Sequence, residues 1–341
     1  MEKKILVAGG LGYIGSHTCV QLREAGYHPV IVDNLSNSEV SVLDGLEKII
    51  AERLPFYEAD CQDKEALIGI CKKEPGIVGI INFAAYKAVG ESVEKPLSYY
   101  RNNLNVLISL LEVAEECRMK AFVFSSSCTV YGEAEIQPVT EETPILPATS
   151  PYGNTKQIAE EIITDAIHAG MPFKAILLRY FNPIGAHPSA MIGELPRGVP
   201  QNLLPYVCQT AAGIRKELKI FGNDYDTPDG TCIRDYIDIN DLANAHVKAI
   251  DRMLEVKEAP NVEAFNIGTG RGVSVLEIVK TFEKVNGLTL PYSFAPRREG
   301  DIEKIWADPK KALNVLGWKA TRSLDDTLKS TWKWQMRLQE K

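Results

Sequence analysis

A short apolar run, a glycine cluster and a helical pattern follow one another at the start of the chain. Residues 4–8 are typical of a buried strand, and the helical pattern after the glycines extends to Ala25. Gly9, Gly12 and Gly15 permit a tight turn, after which the free N–H groups of a helix start can bind a phosphate. A glycine cluster can also be an ordinary turn. Directly after an N-terminal strand, however, the GxxGxxG spacing favours a dinucleotide-binding site, and this constrains the fold more than any other stretch.

The second predicted strand, residues 29–33, ends in an aspartate that bears on the choice of dinucleotide. Asp33 lies 18 residues beyond Gly15. A carboxylate there accepts hydrogen bonds from a ribose diol and repels a 2′-phosphate, which favours NAD over NADP. The alternative is a strand-end aspartate that only caps the next turn.

Two further strand ends are predicted to face the same cofactor. The third unit ends at Asp60, a candidate contact on the adenine side. The apolar strand that begins at residue 77 runs into Ala84 and Ala85. Such small residues would let a cofactor lie against the backbone.

Strand and helix patterns alternate through the first half of the chain. A long helix over residues 95–117 precedes a strand over residues 121–124 that ends in three serines, and a sixth strand follows over residues 175–179. This alternation predicts an α/β fold with a doubly wound parallel Rossmann sheet. Ser127 would lie at a strand's carboxyl end, where such sheets bind ligands, although a serine run there is usually only a turn.

The alternation stops after Asn182, and the chain becomes rich in Pro, Gly and Asn up to residue 205. We therefore predict two domains. Residues 1–182 form the NAD-binding domain, to which segments near residues 233–268 return, and residues 183–341 form mainly a smaller, mixed α/β substrate domain. In the latter, Ser274 and Glu277 have the spacing of a capping box, and a last helix is predicted over residues 324–338.

The stretch from Ser150 to Lys156 combines a helix start with two groups suited to proton transfer. Ser150 is a good N-cap and Pro151 suits the first helical position. Tyr152 and Lys156, four residues apart, would then share one helix face. An ammonium roughly 6 Å away favours the phenolate by about two pKa units, so a second positive charge, such as an oxidised nicotinamide, would still be needed. Tyr–Lys pairs at this spacing are also common on solvated helix faces.

The composition argues against several other classes of protein. A formal net charge of -7 disfavours a nucleic-acid-binding surface, and no apolar run approaches the length of a membrane span. The seven cysteines are scattered and form no CxxC pair, which indicates reduced thiols in the cytoplasm and neither a disulfide framework nor a zinc site. The five histidines are equally dispersed, so we expect no metal.

Seven ordered stretches carry a resemblance that covers nearly the whole chain. They are residues 9–17, 87–92, 125–132, 152–156, 179–183, 234–236 and 295–301. Together they are similar to the extended short-chain dehydrogenase/reductase superfamily, and most similar to its members that epimerise UDP-hexoses at carbon 4. The resemblance implies an NAD-dependent isomerase that interconverts UDP-galactose and UDP-glucose through a 4-keto intermediate, and it leaves open whether N-acetylated UDP-hexoses are also substrates.

The same resemblance implies roles for particular residues. The catalytic residues would be Ser127, Tyr152 and Lys156. The NAD contacts, besides the three glycines, would be Tyr13, Ile14, Asp33, Asn34, Asn37, Ser38, Asp60, Cys61, Phe83, Ala84, Lys87, Asn102, Tyr152, Lys156 and Tyr180. The nucleotide-sugar contacts would be Lys87, Ser127, Tyr152, Asn182, Asn202, Lys219, Phe221, Arg234, Arg298, Asp301 and Ile305. A homodimer is also implied, with the helices over residues 95–117 and 151–168 at its interface.

Two of these residues are also candidates by their chemistry. The planar guanidinium groups of Arg234 and Arg298 suit a diphosphate, although solvated arginines are the commoner case. The chain departs from many relatives at Ala8, where they have threonine. It also departs at Ile305, a position whose side-chain size influences whether an N-acetyl group fits.

Two other functions are considered beside the epimerase. A nucleotide-sugar 4,6-dehydratase shares the cofactor and the tyrosine, but the related enzymes carry an Asp-Glu pair where this chain has Cys128, Thr129 and Val130. The elimination of water is therefore disfavoured. A non-catalytic NAD-sensing partner protein on the same fold would tolerate loss of Tyr152 and Lys156, and both are present.

Overall fold

Strands and helices alternate along the chain in the computed structural model, which describes residues 2–298 and 301–340. The strands are β1 Lys4–Ala8, β2 His28–Asp33, β3 Phe56–Glu58, β4 Ile77–Asn82, β5 Ala121–Ser127, β6 Lys174–Tyr180, β7 Asn182–Ile184, β8 Leu218–Phe221, β9 Ile233–Arg234, β10 Tyr236–Asp238, β11 Val262–Ile267, β12 Val273–Ser274, β13 Tyr292–Ala295 and β14 Lys304–Ile305. The α-helices are α1 Tyr13–Glu24, α2 Val42–Ile50, α3 Lys64–Lys73, α4 Val89–Glu94, α5 Pro96–Glu116, α6 Pro151–His168, α7 Leu203–Ala211, α8 Ile239–Glu255, α9 Val275–Asn286 and α10 Leu324–Gln339. A short 3₁₀-helix spans Cys128–Tyr131, and a π-helical turn spans Ala312–Leu316.

The central sheet has seven parallel strands in the order β11-β6-β5-β4-β1-β2-β3. The chain runs outward from β1 to β3 and then crosses back to place β4 on the other side of β1. The carboxyl ends of β1 and β4 therefore flank the crevice in which sheets of this kind bind ligands. The predicted doubly wound parallel sheet is confirmed.

Alternate side chains of the central strands enter two cores, one on each face of the sheet. In β1, Ile5 and Val7 join the core covered by α1 and α8, whereas Leu6 and Ala8 join the core covered by α5 and α6. All four are fully buried. Because successive side chains of a strand point to opposite faces, a strand covered on both sides is apolar at every position.

A smaller unit with its own core follows β6. It contains three short sheets, in the orders β10-β7, β12-β9-β14 and β13-β8. Val207 of α7, Ile220 of β8, Phe282 of α9 and Leu328 of α10 are buried together in its core. The domain boundary at residue 182 stays a prediction.

One later segment joins the central sheet. β11 pairs in parallel with β6, from Val262 opposite Ala175 to Ile267 opposite Tyr180. α8 precedes β11 and packs against α1. Both elements fall within residues 233–268, for which a return to the first domain was predicted.

The predicted starts of two later helices are confirmed. Ser274 caps α9, and its hydroxyl accepts a 2.9 Å hydrogen bond from the amide of Glu277. α10 begins at Leu324 and buries Trp334, which is 8% exposed.

Two features are absent from the described residues, 2–298 and 301–340. Within them no helix combines the length and apolar character that a membrane span requires. No cluster of three or more histidine, cysteine, aspartate or glutamate side chains is placed there to hold a metal ion. All seven cysteines are free thiols.

Candidate active site

The candidate site lies along the carboxyl edge of the central sheet. Gly9 follows β1, Asp33 ends β2, Asn82 ends β4, Ser127 ends β5 and Tyr180 ends β6. Because all these strands are parallel, the five positions share one edge of the sheet.

The glycine turn between β1 and α1 has no room for side chains. Gly9 has a φ of +76°, and a Cβ on it would lie 2.8 Å from the amide nitrogen of Ala84. A Cβ on Gly15 would collide with the Gly9 carbonyl oxygen and lie 2.8 Å from the Cα of Gly10. Gly12 caps α1 in an extended conformation, and the first turn of α1 has no acidic side chain. The amides of this helix start are therefore available to an anion.

Asp33 is held by hydrogen bonds from two turns. Its Oδ2 accepts from the amide of Leu11 at 3.1 Å, and its Oδ1 accepts from the amide of Leu35 at 3.0 Å and the hydroxyl of Ser38 at 2.7 Å. Asp33 thus caps the turn after β2, the alternative considered from the sequence, and also fixes that turn to the glycine loop. A carboxylate offers about four acceptor positions, so capacity remains for a ribose hydroxyl.

The other predicted cofactor residues lie around this edge with different exposures. Tyr13 donates a 2.6 Å hydrogen bond to the carbonyl of Gly185. Cys61 is buried after β3, and burial raises the pKa of its thiol to about 12. Half-buried positions are Ile14, Phe83, Ala84, Asn102 and Tyr180, and exposed positions are Asn34, Asn37, Asp60 and Lys87.

These residues fit a bound NAD. The glycine turn suits a pyrophosphate and Asp33 suits a ribose diol. The side-chain oxygen of Asn82 is buried and has no hydrogen-bond partner among the residues that the structure describes. Since a buried polar atom without a partner is costly, this oxygen is suited to a donor from outside the chain.

The start of α6 forms as the sequence predicts. Ser150 is extended, and its hydroxyl accepts a 3.1 Å hydrogen bond from the amide of Gly153. Pro151 occupies the first helical position. Tyr152 and Lys156 are 8% and 6% exposed. The pair is therefore buried against the sheet and does not lie on a solvated helix face.

Burial dominates the protonation of this pair. The Nζ of Lys156 lies 5.8 Å from the centre of the Tyr152 ring and donates a 2.7 Å hydrogen bond to the carbonyl of Ser125. Desolvation raises the pKa of Tyr152 to about 12, against the opposing effect of a hydrogen bond with Ser127. Desolvation also lowers the pKa of Lys156 to about 8, and the charge of Glu160 opposes that shift.

The direction of the Tyr152 shift corrects an expectation from the sequence. Lysine proximity alone predicted a phenol pKa below the ordinary value of 10. For the chain by itself this is wrong, because burial of the phenol is the largest effect on its pKa and outweighs the hydrogen bond with Ser127, which lowers it. An additional positive charge is therefore needed even more than the sequence suggested.

Ser127 connects the end of β5 to the Tyr152 phenol. It caps the 3₁₀-helix, and its hydroxyl oxygen accepts a 3.2 Å hydrogen bond from the amide of Thr129. The hydroxyl proton remains available to another acceptor. Its hydrogen bond with Tyr152 lowers the pKa of that phenol. The residue therefore belongs to a turn, as is usual for serines at strand ends, and also contacts the candidate base.

Arg234 lies on β9 of the smaller unit and is close to the turn that follows β5. Its Nη2 donates a 2.6 Å hydrogen bond to the carbonyl of Ile302. Burial raises the pKa of the Cys128 thiol to about 12, and the charge of Arg234 acts in the opposite direction. The guanidinium is thus close to the residue that follows Ser127, which suits a group bound at the phenol.

Phe221, Arg298 and Asp301 form a second cluster. The guanidinium of Arg298 lies 5.9 Å from the centre of the Phe221 ring and pairs with Asp301 at 2.7 Å. Phe221 is 44% exposed and presents an aromatic face to which a planar base can stack. Residues 299 and 300 of the same motif lie outside the described residues.

The remaining predicted sugar-nucleotide residues are exposed or half-buried. Asn202 occupies the N-cap position of α7 without a side-chain capping bond, and its Nδ2 donates a 2.5 Å hydrogen bond to Oε1 of Glu194. The Nζ of Lys87 lies 3.5 Å from the same oxygen, so Glu194 brings together two residues from distant motifs. Lys219 is exposed and bonds to a serine hydroxyl on β13, and Asn182 is half-buried at the start of β7.

Ile305 is buried beside one predicted substrate residue, Arg234. It stands opposite Arg234 where β14 pairs with β9, and it is 1% exposed. Its cluster also contains Val130, Tyr131, Val139, Phe181 and Ala307. Its predicted influence on the sugar therefore requires a bound ligand to reach this cluster.

Two features were missed by the sequence reasoning. Arg179 pairs with Glu160 at 2.6 Å in the interior beside α6. Glu160 stands four residues after Lys156, and this spacing is the signal that could have indicated it. His246 lies 3.0 Å from the hydroxyl of Ser125 and 121 residues away in sequence, so no local pattern could have indicated it.

Comparison with known proteins extends over nearly the whole chain. A family model described as GDP-mannose 4,6 dehydratase matches residues 6–331. A protein of Bacillus subtilis (strain 168) named UDP-glucose 4-epimerase is 52% identical over 331 residues, which are 97% of this chain and 96% of that protein.

Two solved structures have the same fold throughout. The UDP-glucose 4-epimerase from Bifidobacterium longum, in complex with NAD+ and UDP, has a TM-score of 0.94 at 44% identity and 98% coverage of both chains. The enzyme from Stenotrophomonas maltophila, with bound NAD and formylated UDP-arabinopyranose, has a TM-score of 0.95 at 43% identity and 99% coverage of both chains. The matched regions include nearly every residue described above.

Proposed function

We propose that Tyr152, Lys156 and Ser127 are the catalytic residues of this chain, which belongs to the UDP-glucose 4-epimerases of the extended short-chain dehydrogenase/reductase superfamily. It is accordingly an NAD-dependent isomerase that interconverts UDP-galactose and UDP-glucose. The observation that carries the assignment of residues is the buried Tyr152, which bonds with Ser127 and has Lys156 beside it at the carboxyl edge of the sheet.

Bound NAD supplies reversible removal of the hydride at carbon 4, so that a 4-keto sugar forms and is reduced again on its other face. The glycine turn, Asp33 and Ser38 would hold the cofactor, with Lys87 and Tyr180 near the reacting end. Because the turn binds through backbone amides, the threonine that many relatives have at the position of Ala8 is not required.

Tyr152 is assigned the proton transfer. Its phenolate takes the proton of the carbon-4 hydroxyl and later returns a proton to the same oxygen. Lys156 supplies positive charge beside the phenolate, and Ser127 orients the hydroxyl that loses its proton. Since the phenol alone has its pKa raised to about 12, the charge of oxidised NAD is what allows ionisation near neutral pH.

Most of the protein's affinity for the substrate is assigned to contacts with the nucleotide half of the substrate. Arg234 and Arg298 would bind the diphosphate, Phe221 would stack on the uracil, and Asn182, Asn202, Lys219 and Asp301 would bind the remaining polar groups. The sugar must turn over between the two reductions, so it must be held less tightly than the nucleotide.

We assign the NAD-binding role to residues 1–182 together with the returning elements α8 and β11. Residues 183–341 mainly bind the nucleotide sugar. The second core, centred on Val207 and Phe282, supports an independent packing unit for that role.

We also propose a cytoplasmic homodimer. Leu97 and Ile108 of α5 are 77% and 42% exposed, and they are three helical turns apart on one face. A second chain would cover them.

Analytical ultracentrifugation tests the proposed homodimer. A dimer is expected for the wild-type protein, and Leu97→Glu should shift the equilibrium toward monomer. A monomeric wild-type protein would contradict the proposal.

The activity itself is tested with purified protein and UDP-galactose, without added cofactor. UDP-glucose is expected, with no net consumption of NAD. A 4,6-dehydratase would instead yield a 4-keto-6-deoxy sugar, although Cys128, Thr129 and Val130 lack the acid-base pair for that elimination. A non-catalytic NAD sensor would yield no product.

Tyr152→Phe further separates an enzyme from a sensor. The epimerase should lose turnover, whereas a sensor should keep its partner binding.

A further inference from the structure

A buried ion pair lies one helical turn beyond the catalytic lysine. Glu160 of α6 and Arg179 of β6 have side chains only 7% and 8% exposed, and two nitrogens of the arginine donate to the carboxylate at 2.6 and 3.0 Å. The hydroxyl of Ser126 donates a further 2.5 Å hydrogen bond to Glu160. The carboxylate is therefore fully engaged while it is held one helical turn from Lys156.

The arginine is fixed from its other side as well. Its Nη1 donates a 3.1 Å hydrogen bond to the hydroxyl of Tyr131, which in turn donates a 2.7 Å hydrogen bond to Oδ1 of Asn266. Asn266 then donates to the carbonyl of Val139 at 3.0 Å. The pair cannot turn away from Lys156 without breaking this buried network.

Stability alone does not explain such a pair. The desolvation of two buried charges offsets most of their attraction, so an apolar pair of similar volume is often at least as stable. What distinguishes this pair is its location. Glu160 accepts a hydrogen bond from Ser126, the residue before Ser127, and it lies on the same side of α6 as Tyr152. The pair therefore contacts the elements that position Ser127 and Tyr152.

We propose that Glu160 and Arg179 act as positioning residues. As a neutral ion pair one helical turn beyond Lys156, they keep the net charge on that side of the lysine at zero. The pair then adds no net charge to the field that Lys156 and the bound cofactor exert on the Tyr152 phenol. This inference rests on the proposed function, in which Tyr152 is the base. Unpaired Glu160 would oppose the phenolate, and unpaired Arg179 would favour it.

Other groups also face the catalytic pair. Tyr152 is approached by the Cys128 thiol from the 3₁₀-helix and by the phenol of Tyr99 from α5. The phenol of Tyr180 approaches it from β6. Lys156 is faced by the carbonyl of Ser125, and the Arg234 guanidinium is close to Cys128. The variants below leave all of these groups in place.

The test is the ultraviolet absorbance of the phenolate, followed against pH in the NAD-bound protein. Subtraction of the same titration for Tyr152→Phe in each background isolates Tyr152. Glu160→Gln leaves Arg179 charged, because arginine does not lose its proton in proteins. Residues eight apart on a helix are about 12 Å apart along its axis, so the midpoint for Tyr152 should fall by about one pH unit.

The double variant Glu160→Gln/Arg179→Met restores a neutral pair and should return the midpoint to within a few tenths of a pH unit of wild type. Glu263→Gln is the matched control. Glu263 pairs with Arg252 in another largely buried ion pair, near the opposite end of the sheet, and its loss should leave the midpoint in place.

The proposal is overturned if the Glu160→Gln midpoint stays in place or rises, or if the double variant keeps the shift of the single one. Either outcome would reduce the pair to a structural contact. Wild-type turnover of UDP-galactose is measured separately, so a failure of this inference is distinguishable from a failure of the proposed function.

Discussion

The ammonium of Lys156 lies 5.8 Å from the centre of the Tyr152 ring, and both side chains are almost fully buried. Burial moves the pKa values of the two groups in opposite directions, to about 12 for the phenol and about 8 for the lysine. Each shift disfavours the charged form that catalysis uses. The phenolate–ammonium pair that the proposed mechanism requires is therefore disfavoured in the chain alone, and in that mechanism the charge of oxidised NAD favours the phenolate.

Replacement of Tyr152 by phenylalanine tests the assigned base. Because a positioned acid-base group contributes about 10²- to 10⁴-fold, turnover of UDP-galactose should fall by at least that range. NAD should remain bound, because the glycine turn and Asp33 are the residues proposed to hold it. The cofactor released on denaturation gives the NAD content. A variant with near-wild-type turnover would mean that another group is the base.

Replacement of Lys156 by methionine should cost activity and yet stabilise the protein. Burial depresses the folded-state pKa of Lys156 from 10.5 to about 8, so burying the ammonium costs about 3 kcal/mol at neutral pH. The sign follows from linkage. Below pH 8 Lys156 is protonated in both the folded and the unfolded state, and the full cost of burying its charge applies. As the pH rises from 8 toward 10.5, the folded state loses the proton and the unfolded state keeps it, so this cost disappears.

Denaturant unfolding at pH 7 and at pH 10, after removal of NAD, checks this expectation. Lys156→Met should unfold at higher denaturant than wild type at pH 7, and the difference should shrink at pH 10. A difference that grows with pH would contradict the account, because it would show that the folded state raises the pKa of Lys156 and stabilises the ammonium.

Asp33→Asn should weaken NAD retention and reduce the preference for NAD over NADP. The amide keeps the shape of the carboxylate but lacks the charge that repels a 2′-phosphate, and it offers fewer acceptor positions to Leu11, Ser38 and the ribose. Competitive binding of the two cofactors measures the preference. Glu58→Gln, an exposed change of the same charge on β3, should leave it unaltered. An unchanged preference in Asp33→Asn would assign the ribose to another residue.

Ile305 is predicted to limit the size of the group at sugar carbon 2. Overpacking by an acetyl group would cost roughly 1–3 kcal/mol, or about 5- to 150-fold, so UDP-N-acetylgalactosamine should react measurably but less well than UDP-galactose. Ile305→Tyr should suppress the N-acetyl activity further, and Ile305→Ser should raise it.

The ratio of the two specificity constants in wild type and both variants is the measurement. Ile305→Val, which removes one methylene group and keeps the apolar β-branched side chain, is the control for loss of packing. Since Ile305 is 1% exposed, Ile305→Ser should also destabilise the protein by a few kcal/mol. A ratio that stays flat across the series would place Ile305 outside the sugar's surroundings.

The parts of the fold that the sequence predicted are those specified by local physics. The strand before Gly9, the glycine turn, the Ser150 cap and the Ser274 cap each depend on residues within one or two turns of one another. Asp33 was recognised as a strand-end carboxylate for the same reason. In each case the neighbouring residues decide the backbone conformation, so a short stretch contains the necessary information.

The parts that could not be predicted depend on residues far apart in the chain. The sign of the Tyr152 shift follows from burial by β5, β6 and α5, which no local pattern reports. The same holds for the pairing of Arg179 with Glu160, and for the contact that Glu194 makes with both Lys87 and Asn202. Ile305 was placed by resemblance beside the sugar, but only packing with Val139 and Phe181 revealed how deeply it is buried.

The central claim is that one hydrogen leaves carbon 4 of the sugar and returns to it without exchanging with water. Purified protein should be incubated with UDP-galactose in deuterium oxide, without added NAD, and the UDP-glucose product examined by NMR. The account predicts full conversion to the equilibrium mixture with no deuterium at carbon 4, and loss of that conversion in Tyr152→Phe. Deuterium at carbon 4 of the product, or formation of an oxidised or dehydrated sugar in place of UDP-glucose, would contradict it.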